Sequence, residues 1–257
     1  MEKPPQTSLR PDYGIDAPGA VRNLMVAGSV ALLVSVLSYS GWLPWRDLAR
    51  PLARMAVAFL GMGSYMIYSS KVSKLGEREQ QLDLISWRGD ETVLDVGCGL
   101  GLVLLGVAKR LTTGTAAGID IWRTKDLSGN HPDAALENAR REGVSDRVTI
   151  LTADMRQIPF PDGHFDVIVS KDAIHNLYRA NERAAAVREI TRVLKPGGAC
   201  ILADIRHEAD YAGVLRANGV TDVQRHDSHF TSPFFAIITL GSVRPFVLVG
   251  RKPSASL

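Results

Sequence analysis

A chain of 257 residues has room for one sizeable core and an appendage, but not for two full domains. Its 30 Lys and Arg stand against 27 Asp and Glu and are interspersed rather than clustered, so no electrostatic footprint for nucleic acid is present. Cys98 and Cys200 are too few for a disulfide framework or a zinc cluster, so a reducing compartment fits and no metal site is expected.

Residues 1–20 are rich in Pro and Gly, lack a hydrophobic period, and read as a poorly ordered lead-in. From Leu24 to Trp45 the chain runs 22 residues without a charge. As a helix, that is long enough to cross a hydrocarbon layer of roughly 30 Å. Trp42 and Trp45 near its end suit a membrane interface. Arg46, Asp47, Arg50 and Arg54 follow, and a second uncharged stretch of 16 residues runs from Met55 to Ser70. Residues 21–72 are therefore expected to form a hydrophobic helical hairpin in or on a membrane. A signal peptide with cleavage near Ser38-Tyr39-Ser40, and burial in a larger core or in a homo-oligomer interface, are the other uses such stretches admit.

From residue 73 onward the pattern changes to alternating strands and helices. Thr92–Val96, Ala116–Ile121, Val148–Ala153, Phe165–Ser170 and Ala199–Ile205 are short apolar or β-branched runs with the length of buried strands. Helical stretches stand around and between them, at Glu77–Trp87, Leu102–Leu111, Asp133–Arg141 and Asn181–Leu194. A helix over Asp210–Asn218 follows, and Phe234–Leu240 with Phe246–Val249 is expected to form a closing antiparallel pair. Repeated β-α units predict a doubly wound, mostly parallel α/β sheet that binds its ligand beyond the carboxyl ends of the strands.

The strongest local pattern is Leu94-Asp95-Val96-Gly97-Cys98-Gly99-Leu100-Gly101, where an apolar strand runs directly into three glycines at alternate positions and then a helix. Glycines there let the backbone turn tightly and approach a ligand with no Cβ in the way. Dinucleotide sites use the spacing G-x-G-x-x-G around a pyrophosphate. Here the spacing is G-x-G-x-G with a carboxylate two residues before it, which suits a ligand bearing an ammonium group.

This segment resembles the first motif of the class I S-adenosylmethionine-dependent methyltransferases, whose sheet is a seven-stranded Rossmann-like one. The downstream strand ends agree in order: Gly118-Ile119-Asp120, Ala153-Asp154-Met155, Phe165 to Ser170, and Arg192-Val193-Leu194-Lys195-Pro196-Gly197-Gly198. The resemblance spans about Leu82 to Leu202. It implies S-adenosyl-L-methionine as cofactor, with Gly97, Gly99 and Gly101 against its methionine part and Asp95 near its ammonium. It further implies that Asp120 accepts from both ribose hydroxyls and that Ile121 lies on an adenine face. Asp154 and the Met155 backbone would hold the adenine edge, and the Ser170 carbonyl would lie near the ammonium. The methyltransferase domain would be residues 73–257, placed in the cytosol by its cofactor supply, at the cell membrane.

Two departures stand out. The segment Trp122–His131 is longer than the family's usual connection after the ribose aspartate. After the fourth strand, Ser170-Lys171-Asp172-Ala173-Ile174-His175-Asn176 replaces the Asn-Pro-Pro-Tyr type of motif, which speaks against methylation of amino groups on adenine or glutamine. His175, just past that strand, is the candidate base, because an imidazole titrates near neutrality. The expected acceptor is a small or lipophilic molecule. A catalytically silent cofactor-binding assembly protein and a nucleotide-dependent dehydrogenase are the alternative readings.

Overall fold

A computed structural model of the chain describes residues 10–227 and 244–254. They fall into two compact units, each taken by itself below. One holds residues 10–13, Leu75–Trp122 and the described part of Asn130–Leu257; the other holds Gly14–Lys74 and Arg123–Gly129.

The larger unit is built on seven strands: β1 (Thr92–Val96), β2 (Thr115–Asp120), β3 (Val148–Thr152), β4 (Phe165–Lys171), β5 (Leu194–Asp204), β6 (Asp222–Asp227) and β7 (Phe246–Arg251). Their order across the sheet is β3-β2-β1-β4-β5-β7-β6. The first five pair in parallel, and β7 runs antiparallel between β5 and β6. This is the Rossmann-like doubly wound α/β sheet. Because β1, β4 and β5 lie in its middle, every residue of Val93–Val96, Val167–Ser170 and Ala199–Asp204 is buried. Such strands read as continuous apolar runs, because both faces are covered by helices. Those helices are α4 (Leu102–Ala108), α5 (Pro132–Glu142), α6 (Ala180–Val193) and α7 (Glu208–Ala217); α3 (Lys74–Leu82) precedes β1 and lies against Gly106 of α4. The chain reverses its direction of winding between β1 and β4, the place where open α/β sheets leave a crevice for ligands.

The closing part holds one strand that the sequence did not offer. β7 has two antiparallel neighbours, β5 and β6, and β6 is the polar segment Asp222-Val223-Gln224-Arg225-His226-Asp227. An edge strand has one solvated face and carries charge there, so it offers no apolar run to read. The run Phe234–Leu240 lies outside the described residues. At the other end, residues 10–13 are tied to α5. The Asp12 N–H donates to Asn138 Oδ1 (3.0 Å), Asn138 Nδ2 donates to the Asp12 carbonyl (2.8 Å), and Tyr13 Oη donates to Glu142 Oε1 (2.7 Å). Side chains rather than secondary structure hold this part of the lead-in, so it has no periodicity.

The smaller unit is a packed pair of helices, α1 (Pro18–Tyr39) and α2 (Arg46–Tyr68), followed by one π-helical turn over Ser69–Ser73. The buried positions of α1 are Val21, Gly28, Ala31, Ser35 and Ser38, and those of α2 include Ala49, Ala56 and Gly63, so both seams consist mostly of small residues. A Cβ on Gly28 would lie 2.8 Å from Leu60 Cγ, and one on Gly63 would lie 2.7 Å from Met25 Sδ. Ser35 Oγ donates to the Ala49 carbonyl at 2.6 Å. The large apolar residues Val26, Val30, Leu33, Val36 and Val57 point outward instead and are exposed. Only α1, among the described residues, is long and apolar enough to cross a membrane; α2 carries Arg46, Asp47, Arg50 and Arg54 at its start. The loop Arg123–Gly129 belongs to this unit: the Ala17 N–H donates to the Asp126 carbonyl (2.9 Å) and the Ser128 N–H to the Ile15 carbonyl (3.0 Å).

Candidate active site

The crevice is framed by the carboxyl ends of β1, β2, β4 and β5. At the end of β1 the backbone doubles back through Gly97, Gly99 and Gly101, all with positive φ. Gly97 leaves no alternative, because a Cβ there would overlap that of Ala173 at φ 77°. The N–H groups of Gly97 and Cys98 both donate to the Ile119 carbonyl (2.8 and 3.0 Å), which fixes the loop against β2. Gly101, left-handed at φ 86°, then opens α4.

Asp95, within β1 and directly beneath this loop, is 1% exposed, and its Oδ2 accepts no hydrogen bond among the described residues. Burial pushes its carboxyl up to about 8; a hydrogen bond from the Leu104 backbone opposes the shift, and the nearby Asp120 adds to it. Asp120 ends β2 and is heavily engaged. Its Oδ2 accepts from the Gly99 N–H (2.9 Å), and its Oδ1 accepts from the Trp122 N–H (2.6 Å) and from Asn130 Nδ2 (3.3 Å). Asn130 is itself buried, and its Oδ1 has no partner among the described residues. Two buried acceptors without donors are unusual. They fit a ligand that brings an ammonium group and hydroxyls.

The remaining residues expected from the sequence lie around the same rim. Ile121 is 38% exposed just past β2, which suits a ligand face. Met155 is half-buried, with its Cε near Gly97. Ser170 is buried and donates its Oγ to the Val96 carbonyl (2.8 Å), pinning the end of β4 to the end of β1. Asp154 is brought to the rim, but its carboxylate is held by Arg156 through Nε (3.0 Å to either oxygen) and Nη2 (2.6 Å to Oδ2), and Oδ1 also receives the Arg156 N–H (2.9 Å). Solvent screens an exposed pair of this kind, so a ligand amino group can displace the guanidinium at small cost.

His175 sits in a single 3-10 turn, Ile174–Asn176, two residues past the Ala173 that touches Gly97. Its Nδ1 is 2.5 Å from Asp204 Oδ1, and its backbone N–H donates to Asp204 Oδ2 (3.0 Å). Asp204 also accepts from the Ile205 N–H (2.8 Å) and from Tyr211 Oη (3.1 Å), and is 3% exposed. Burial alone would favour the neutral ring, but the hydrogen bond and charge of Asp204, with Asp172 behind it, raise His175 above the ordinary value of 6.5. A carboxylate on Nδ1 fixes the tautomer and leaves Nε2 as the acceptor nitrogen. Sequence reasoning missed Asp204. The signal that marks Asp120, a carboxylate closing an apolar strand, is present there too in Leu202-Ala203-Asp204.

Comparisons with known proteins bear on the family and the fold. Residues 94–202 match the family model described as a methyltransferase domain. Methyltransferase GfsG of Streptomyces halstedii is 35% identical over 136 residues, which cover 52% of this chain and 45% of that protein. The sterol 4-C-methyltransferase strm-1 of Caenorhabditis elegans is 37% identical over 121 residues, 46% of this chain and 32% of that one. The chain thus spans less than half the length of these curated relatives. Among solved structures, geranyl diphosphate C-methyltransferase from Streptomyces coelicolor A3(2), in complex with Mg2+, geranyl diphosphate and S-adenosyl-L-homocysteine, superposes with a TM-score of 0.57 at 15% identity, covering 74% of this chain and 84% of that one. That likeness concerns the fold. The strand order, the glycine loop and the family match agree: residues 94–202 form a methyltransferase domain of the S-adenosylmethionine-dependent kind.

Proposed function

We propose that the protein transfers the methyl group of S-adenosylmethionine to a small or lipophilic acceptor at the cytosolic face of the cell membrane. The observation that carries the reading is the pair His175–Asp204 at the ends of β4 and β5, next to the glycine loop. When bound, the cofactor supplies a methyl group already activated on a sulfonium, so the protein has only to align the acceptor and take its proton. Asp95 and the glycine loop hold the amino acid end, Asp120 the ribose, and Ile121, Asp154 and Met155 the adenine. Ser170 keeps β1 and β4 in register beneath them.

His175 Nε2 takes the proton of the acceptor, while Asp204 holds the ring by Nδ1 and stabilises the imidazolium that forms. An acceptor that attacks through an atom bearing a proton is the one that needs such a pair. The sterol methyltransferase relative names a lipophilic substrate, and the structural neighbour holds a prenyl diphosphate. The membrane part of the reading is supported by the smaller unit. Helices with small residues facing each other and large apolar residues facing out are arranged for a surrounding of lipid. Trp42 and Trp45, exposed after α1, suit the interface.

The test is methyl transfer from labelled cofactor into a lipid and metabolite extract by the purified full chain. Labelled product is expected with the wild type, and His175→Ala should lower its rate by roughly 10²–10⁴-fold with cofactor affinity nearly intact. Absence of any labelled product would leave a cofactor-binding protein without transferase activity. Near-normal turnover of the variant would remove His175 from the chemistry.

A further inference from the structure

The loop that departs from the family's pattern, Trp122–His131, has both ends fixed on one carboxylate. Trp122, left-handed at φ 61°, donates its N–H to Asp120 Oδ1 (2.6 Å), and Asn130 Nδ2 donates to the same oxygen (3.3 Å). Each oxygen of a carboxylate offers two acceptor positions. Oδ1 is therefore full, and Oδ2, which already receives the Gly99 N–H at 2.9 Å, has one position left. Asp120 can take one further donor, whereas a ribose presents two hydroxyls. The second acceptor stands beside it: Asn130 is 5% exposed, its amide nitrogen is turned to Asp120, and its Oδ1 is buried with no partner among the described residues. A buried amide oxygen without a donor costs free energy unless a ligand supplies one.

We propose that the two ribose hydroxyls of the cofactor are shared between Asp120 and Asn130, Asp120 Oδ2 accepting one and Asn130 Oδ1 the other. The inference rests on the reading of these strand ends as an S-adenosylmethionine site. It makes the long loop a functional insertion: the loop carries Asn130 to the carboxylate, and the Asn130–Asp120 bond turns the amide oxygen toward the ligand.

Calorimetric titration of the full-length protein with S-adenosylhomocysteine and with its 2′-deoxy and 3′-deoxy analogues tests this without catalysis. For the wild type both analogues should bind more weakly. The analogue lacking the hydroxyl on Asp120 should lose roughly tenfold to a hundredfold, as for a charged acceptor, and the other roughly threefold to tenfold, as for a neutral one. Asn130→Ala should weaken S-adenosylhomocysteine roughly threefold to tenfold and leave unchanged the affinity for the analogue that lacks the hydroxyl on Asn130. Indifference of the wild type to either deletion would overturn the sharing, and that arm needs no variant. Equal losses of Asn130→Ala toward all three ligands, as a collapsed loop would give, or no loss at all, would overturn it too. Failure of the wild type to bind S-adenosylhomocysteine at all would instead bring down the cofactor reading, and this inference with it.

Discussion

Asp95 and His175 are both held away from their ordinary protonation, in ways that solution measurements can read. The Asp95 carboxyl, buried and pushed up to about 8 from 3.8, carries its proton at neutral pH when nothing faces Oδ2. A cationic ammonium beside that oxygen favours the carboxylate, so cofactor binding at pH 7 should release a proton. Calorimetry in buffers of different ionisation enthalpy should show that release, and Asp95→Asn should abolish it; heats independent of buffer would detach Asp95 from the ammonium. Without ligand the sign for stability is the reverse of the usual carboxylate. The native state favours protonated Asp95, so its contribution is fully present below 3.8 and is lost as pH rises toward 8. For His175 the raised value means that the neutral ring, the form a base needs, is gained only above the ordinary 6.5. The acidic limb of kcat/KM should therefore lie above that value. Asp204→Asn should move it down and lower the plateau, because the ring loses both its counter-charge and its fixed tautomer. A limb that stays in place would show that another group titrates. The pair also links to stability: a raised histidine contributes fully below 6.5, and its contribution is lost as pH rises through the folded value.

At the scale of elements, the same short-range rules act in two settings. The turns after β1 and β4 meet because Gly97 has no Cβ where Ala173 packs, and because Ser170 Oγ is bonded to the Val96 carbonyl. Two strand ends are thus joined by small side chains of β4 and the turn after it set against the backbone of β1 and its turn. In the helix pair the packing is inverted relative to a water-soluble helix: Gly28, Ala31, Ala56 and Gly63 face inward while Val26, Val30 and Leu33 face out. In water that order leaves the larger apolar surface unburied, and the proposed lipid surrounding would cover it. The full-length protein should accordingly sediment with membranes and need detergent for release. Recovery in the soluble fraction without detergent would sink the membrane reading while leaving the methyltransferase domain untouched.

At the scale of the whole molecule, the sequence by itself determined the larger unit's class and most of its strands. A buried parallel strand has to be apolar along its whole length, and a strand-to-helix turn under a ligand has to be glycine. The runs at Thr92–Val96 and Phe165–Ser170, the glycines of the loop, and the carboxylates at Asp95 and Asp120 were legible for that reason. Local rules also marked α1, because length without charge is a property of one segment. What only the tertiary structure decided depends on partners far apart in the chain. His175 meets Asp204 across 29 positions, and Asn130 turns to Asp120 across a loop that packs with residues 15–17. The polar strand β6 belongs to the sheet only because β7 offers it an antiparallel edge. A hydrogen bond between side chains leaves no period in the sequence, and an acceptor such as Asn130 Oδ1, without a partner among the described residues, is recognisable only once its neighbours in space are known.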